Sequence, residues 1–237
     1  MKKVLLTLGL LVGFLPYLTA QQSKSYSQRP QGVSKGITHK KSKTQVVING
    51  VPSYIWHHGC GPTALGMLLG YYDINGFPNL FPGDASSQTE AVNNAIANQE
   101  HYNDYSEPID YYPYLYQDKS ELGGAHTSNC IADYMRTSWS AANNRYGWSW
   151  AWDVMTAFNL YVNQQDSTYH TEVTYQLFAP EKWEMYTNEI DHQRPVVILV
   201  DSDGDGQSDH FVTGIGYDEA DTTYGIYDTW DNNIHWY

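Results

Sequence analysis

The sequence predicts an α+β domain built on an antiparallel sheet. Two observations carry this: helical periodicity dominates up to about residue 170, and short strand patterns joined by tight turns dominate after it.

The first extended pieces are Val46 to Ile48 and Ser53 to Trp56, split by the turn signal Asn49-Gly50. A helix is expected from Cys60. Gly61-Pro62 open it, Ala64, Leu65, Leu68 and Tyr72 recur at helical spacing, and Asn75-Gly76 stop it. Pro62 suits the first turn, where a missing N–H costs nothing. Further helices are expected at Thr89–Gln99, Thr127–Ser138 and Trp152–Val162. Beyond them Glu172 to Phe178 alternates like a strand, and Pro180 to His192 places Trp183, Tyr186 and Ile190 on one helical face. Val196–Val200, Phe211–Gly216, Tyr224–Tyr227 and Ile234–Tyr237 complete the strands.

Ahead of this domain lie two segments of different composition. Lys2 and Lys3, an uncharged apolar run from Val4 to Leu15, and Ala20 after Leu18-Thr19 predict a secretory signal peptide over residues 1–20. The run is too short to cross a bilayer, so the expected location is secreted or periplasmic. Residues 21–45 are polar and aperiodic, and they predict a mobile linker or pro-segment. The folded domain is then 46–237.

Charge divides along the same boundary. Residues 21–45 carry six basic side chains and no acid, whereas everything after them carries all 26 acids against five bases, a formal −21. A surface this acidic repels phosphate backbones and anionic lipid, which argues against nucleic acid and membrane partners. The sequence does not set an oligomeric state.

The residue that matters most is Cys60. At a helix N-terminus, unpaired N–H groups and the helix dipole favour an anion, so a thiolate forms there more readily. His210 opens an expected core strand and Asp228 ends the next one. Neighbouring antiparallel strands can set such a pair side by side, the acid orienting the ring.

Those residues lie in three longer stretches. Trp56-His57-His58-Gly59-Cys60-Gly61-Pro62-Thr63-Ala64, followed by Leu68-Leu69-Gly70-Tyr71-Tyr72-Asp73, resembles the nucleophile segment of papain-like cysteine peptidases of the bacteriocin-processing (double-glycine) group. Asp209-His210-Phe211-Val212-Thr213-Gly214-Ile215-Gly216-Tyr217-Asp218 resembles that group's histidine segment, and Tyr227-Asp228-Thr229-Trp230 its acid segment, in the same order. The resemblance implies a papain-like fold, with the nucleophile-bearing helix packed on an antiparallel sheet. It also implies an exported cysteine peptidase or amide hydrolase acting on peptide or protein, in which Cys60 is nucleophile, His210 general base and acid, and Asp228 the orienter. A related acyl transferase uses the same pair. The chain departs from the pattern at Tyr54, six residues before Cys60, where papain-like enzymes usually place an oxyanion-stabilising Gln. One donor is then the Cys60 backbone N–H, and Trp56, His57 or His58 supplies the other. The alternative from another class is a catalytically silent, calcium-stabilised module of the same fold that binds peptide or glycan.

Other assignments compete for these residues. Cys60 and Cys130 are the only cysteines and suit a disulfide in an exported protein, although the Gly-Pro-Thr-Ala context favours a nucleophile. A zinc set of His57, His58 and Cys60 lacks a partner pair. His101 and His126 read as ordinary surface histidines.

A second motif, Asp201-Ser202-Asp203-Gly204-Asp205-Gly206-Gln207-Ser208-Asp209, sets acids at loop positions one, three, five and nine around a turn glycine. That is the pattern of a structural calcium loop, with the Gln207 carbonyl as a further oxygen ligand. Position twelve is Val212, so the loop is not a complete EF-hand.

Overall fold

A computed structural model describes residues 27–105, 126–138, 147–174 and 182–237. The expected signal peptide lies outside these residues. The elements run β1 (Gln45–Val47), α1 (Cys60–Ile74), α2 (Glu90–Ile96), α3 (Gln99–Tyr105), α4 (Ile131–Tyr134), α5 (Asp153–Gln165), α6 (Lys182–Asp191), β2 (Val196–Val200), β3 (His210–Asp218), β4 (Thr223–Tyr227) and β5 (His235–Trp236). Helices precede a wholly antiparallel sheet, as an α+β domain requires.

Helix α1 is central because it is apolar nearly all round. Every residue from Cys60 to Asp73 is buried, which is how a helix without a polar face is accommodated. Its entry is tied down by Thr63, whose hydroxyl donates to the Gly59 carbonyl and accepts from the His57 N–H. One face of α1 lies on β3, where the Thr213 hydroxyl donates to the Ala64 carbonyl at 3.0 Å. Another packs on Tyr54, which is why position 70 must be glycine: a Cβ there would stand 2.4 Å from the Tyr54 hydroxyl.

Strand β3 is the axis of the sheet. Along one edge it pairs first with β2, from Val200↔His210 to Val196↔Gly214, and then with β1, from Val47↔Gly216 to Gln45↔Asp218. Its other edge pairs with β4, with a bulge between Gly214 and Gly216, and β4 pairs with β5. Such a bulge bends the strand locally. The Tyr186 hydroxyl of α6 donates to the Gly216 carbonyl at 2.7 Å, beside it.

Several elements differ from their sequence expectation. Ser53–Trp56 forms no strand; Trp56 donates a single backbone bond to Thr229. The Thr127–Ser138 helix shrinks to the four residues of α4 because Cys130 caps it and Arg136 and Ser138 adopt positive φ. The short polar helix α3 carries no apolar period to announce it. Residues 172–174 are not a strand, and 175–178 lie outside the described residues.

The basic segment, from residue 27 on, lies in contact with the folded body. Residues 27–44 run as an irregular arm against the sheet edge. Ile37 donates to the Trp236 carbonyl, His39 stacks on Trp236 with its Nε2 3.0 Å from Asp218, and Ser42 and Thr44 donate to the same carboxylate. Neutral donors make most of these contacts, and one cation of the arm, Arg29, pairs with Asp228. No helix among the described residues is long and apolar enough to cross a membrane.

Candidate active site

Cys60 is the first residue of α1, where backbone donors have no intrahelical acceptor. Gly59 lets the chain turn into it, since a Cβ there would stand 2.8 Å from Thr137 and 2.9 Å from the Gly147 carbonyl. Before it, His58 is held at φ 58°, a left-handed conformation uncommon outside glycine that histidine adopts more readily than most side chains. The Phe211 backbone N–H donates to Cys60 Sγ at 3.4 Å. The sulfur therefore sits against β3 one residue from His210. Neither Cys60 nor Cys130 is in a disulfide.

His210 is fully buried, its ring sandwiched flat on Trp230 with centroids 3.8 Å apart and planes 11° from parallel. Its Nε2 bonds the backbone carbonyl of Asp228 at 2.7 Å, with the Thr229 hydroxyl at 3.4 Å. That contact fixes the ring and leaves Nδ1, which is buried without a hydrogen bond. Thr229 is itself strained, a β-branched residue at φ 67°. Such outliers cost about 1–3 kcal/mol and collect at functional sites. Burial pushes the His210 imidazole down to about 4, the Asp228 carbonyl bond opposes this, and the Arg29 charge adds to it.

The structure brings Asp228 beside His210, but through its main chain. The Asp228 carboxylate is turned away: Oδ2 pairs with the Arg29 guanidinium, and Oδ1 accepts the Trp230 N–H at 2.9 Å. Arg29 also lies over the Trp230 ring, 4.9 Å from its centroid. The arm thus reaches the histidine through one tryptophan, a contact with no sequence signal because about 200 positions separate the partners. A cavity of about 50 Å³ opens beside the histidine, lined by His210, Val212, Asp228, Trp230, Tyr237 and, from the arm, Val33.

Tyr54, in the place of the expected Gln, is wholly buried and donates to the Ala85 carbonyl, so its hydroxyl serves the core. His57 Nε2 lies 2.9 Å from the Ala97 carbonyl. His58 tilts against Tyr102 and is pushed down to about 4, first by burial and then by His57 and His101.

The expected ion loop bridges β2 and β3, closed at its base by the Asp209 N–H bond to Val200. Ligand oxygens of Asp201, Asp203 and Asp205 lie within 4.8 Å of one another at the exposed tip. Asp209 is buried at the base, where Oδ1 accepts the Ser202 N–H. Gln207 donates its N–H to Asp205.

Residues 45–237 match the model of the Peptidase_C39 like family. The chain belongs to this family. No curated protein and no solved structure matches it significantly. The match covers Cys60, His210, Asp228 and the whole sheet, and it leaves the arm up to Thr44 outside. Family membership points to cysteine peptidase-like chemistry on a peptide substrate, the class of reaction the buried cysteine and histidine suit. The sequence reading missed His101 and His126: they share an acid–histidine network in which His101 and Asp133 are buried and His126 is half-buried. Only the wide pairing of residues 101–104 with 126–133 could have signalled it.

Proposed function

We propose that this chain is an exported cysteine peptidase of papain-like fold, with Cys60 as nucleophile and His210 as its base and acid. One observation carries the reading: α1 presents Cys60 Sγ to β3 beside a histidine whose Nε2 is anchored and whose Nδ1 is uncommitted. In the reaction His210 takes the Cys60 thiol proton, and the sulfur attacks the scissile carbonyl carbon. The ring then passes that proton to the leaving amine, giving a thioester that water hydrolyses. The Cys60 backbone N–H, at the first turn of α1, supplies one oxyanion donor.

The test is a thiol-reactive probe at neutral pH. Cys60 is expected to label well ahead of Cys130, whose thiol is pushed well up by burial and by the Asp133 charge. Equal, slow labelling of the two, with peptide or glycan still bound, would instead establish the silent binding module.

Asp201, Asp203 and Asp205 fit a hard oxygen-seeking cation, since three carboxylates converge at a tip where Gly204 and Gly206 take φ of 77° and 88°. We read the loop as a structural calcium site on these three carboxylates; the spacing also implies the Gln207 carbonyl and Asp209, but Asp209 lies buried at the loop base, outside the cluster at the tip. The ion's part is to hold the β2–β3 hairpin, and His210 at its end, in place. With millimolar calcium and a Kd of about 10⁻⁴ M, binding adds roughly 1.4 kcal/mol of stability. Chelation should therefore lower the thermal midpoint by a few degrees and Asp203→Asn with Asp205→Asn should reproduce it. An unchanged midpoint in both would remove calcium from the description.

A further inference from the structure

We propose that His101, Cys130 and Asp133, with His126 as fourth ligand, form a structural site for a zinc-type transition-metal ion. The first three each offer a ligand atom within 4.8 Å of the others, and all three are buried. Two segments supply them. Helix α3 carries His101, and the turn into α4 carries His126, the capping Cys130 and Asp133 at its third position. His101 Nδ1 lies 2.7 Å from Asp133 Oδ1, and His126 Nε2 lies 3.1 Å from Asp133 Oδ2.

The chemistry of the set selects the ion. Two imidazoles, one thiol and one carboxylate are the nitrogen, sulfur and oxygen donors that four-coordinate zinc takes in closed sites. A hard cation such as calcium has no use for the sulfur. An outer partner is also in place, since His126 Nδ1 lies 2.8 Å from Asp104 Oδ2. This is the carboxylate–histidine arrangement that orients metal-bound rings. Four protein ligands leave no open coordination position, so the ion braces the fold instead of acting on substrate. What it braces is close to the candidate active site. Cys130 and Asp133 begin the turn of α4 that ends at Met135, whose side chain closes on the second residue of α1, Gly61.

The probe is cobalt(II), titrated into the folded Cys60→Ala protein so that Cys130 is the only thiol. One equivalent should give the visible bands of tetrahedral cobalt together with a thiolate-to-cobalt charge-transfer band, both removed by zinc. Cys130→Ser should abolish the charge-transfer band, and Asp104→Asn should weaken cobalt about 10–100-fold. Asp203→Asn with Asp205→Asn should leave the spectrum untouched, which separates this site from the loop. Should Cys130→Ser not fold, zinc is still expected to raise the thermal midpoint of the Cys60→Ala protein and calcium, with the loop variant, is not. Pale octahedral cobalt without a charge-transfer band, or a band that survives in Cys130→Ser, would overturn the assignment. Because every arm uses a chain without Cys60, the result is independent of whether the protein is a peptidase.

Discussion

Cys60→Ala and His210→Ala are each expected to reduce peptide hydrolysis by a factor on the order of 10⁵, while Asp228→Asn in the full chain costs only about tenfold. The first two remove nucleophile and base, which act as a unit, so the double variant should fall no further than either single one. The contrast with Asp228 follows from the geometry. His210 Nε2 is held by the Asp228 carbonyl at 2.7 Å, a contact that no side-chain substitution removes. The carboxylate meanwhile is occupied by Arg29 and the Trp230 N–H. Where an acid side chain does set the histidine tautomer, changing it to its amide costs about 10⁴ in rate. A loss of that size in Asp228→Asn would mean that the carboxylate turns onto the ring during turnover. Circular dichroism and a thermal melt on each variant separate these rate effects from misfolding, and parent-like hydrolysis by Cys60→Ala would exclude it as nucleophile.

What could be read in the sequence was what depends on near neighbours. The start of α1 was legible because Gly61-Pro62 and Asn75-Gly76 punctuate an apolar run, and β2 to β5 because short apolar runs are divided by turn residues. Cys60 and His210 were legible as chemistry because each sits at the end of such an element. The remainder depended on contacts that have no period. Helix α3 is polar, so nothing in Gln99–Tyr105 separates it from a loop, although burial of His101 and Tyr105 is what fixes it. The Asp133 network joins residues 32 positions apart. A basic, aperiodic arm reads as a linker in isolation, and only the fold shows that Asp218, Asp228 and Trp236 line up to receive it. Asp228 shows the limit most clearly: its position beside His210 could be anticipated, but not that a competing cation would take its carboxylate.

Removing the arm is expected to switch the site toward its active state. Arg29 is nearly buried on Asp228, and it lies over Trp230, which stacks on His210. It thereby holds the carboxylate away from the ring and adds a positive charge that disfavours the imidazolium. Burial is the larger cause of the lowered His210 value, and the arm contributes to that too, through Val33 in the cavity wall. A chain beginning at Gln45 should therefore show the His210 titration moving up from about 4 toward its ordinary 6.5, followed by ring proton resonances. A return halfway raises the imidazolium population near about pH 6 roughly tenfold, and probe labelling of Cys60 should rise with it. The sign for stability is set by the same numbers. A histidine whose folded value lies below its unfolded one binds fewer protons when folded, so stability falls as pH drops from 6.5 to about 4; the shortened chain should lose less over that window. Arg29→Met differs instructively, since it leaves Asp228 buried without its cation, a loss of about 3–5 kcal/mol, whereas truncation lets water reach the carboxylate. The two lines of reasoning meet in one cycle. In the shortened chain the Asp228 carboxylate is released from Arg29 and free to turn onto His210, so Asp228→Asn should cost much more there than in the full chain. Equal costs in both backgrounds, with labelling unchanged by truncation, would mean that the arm is a structural strap and not a latch on the site.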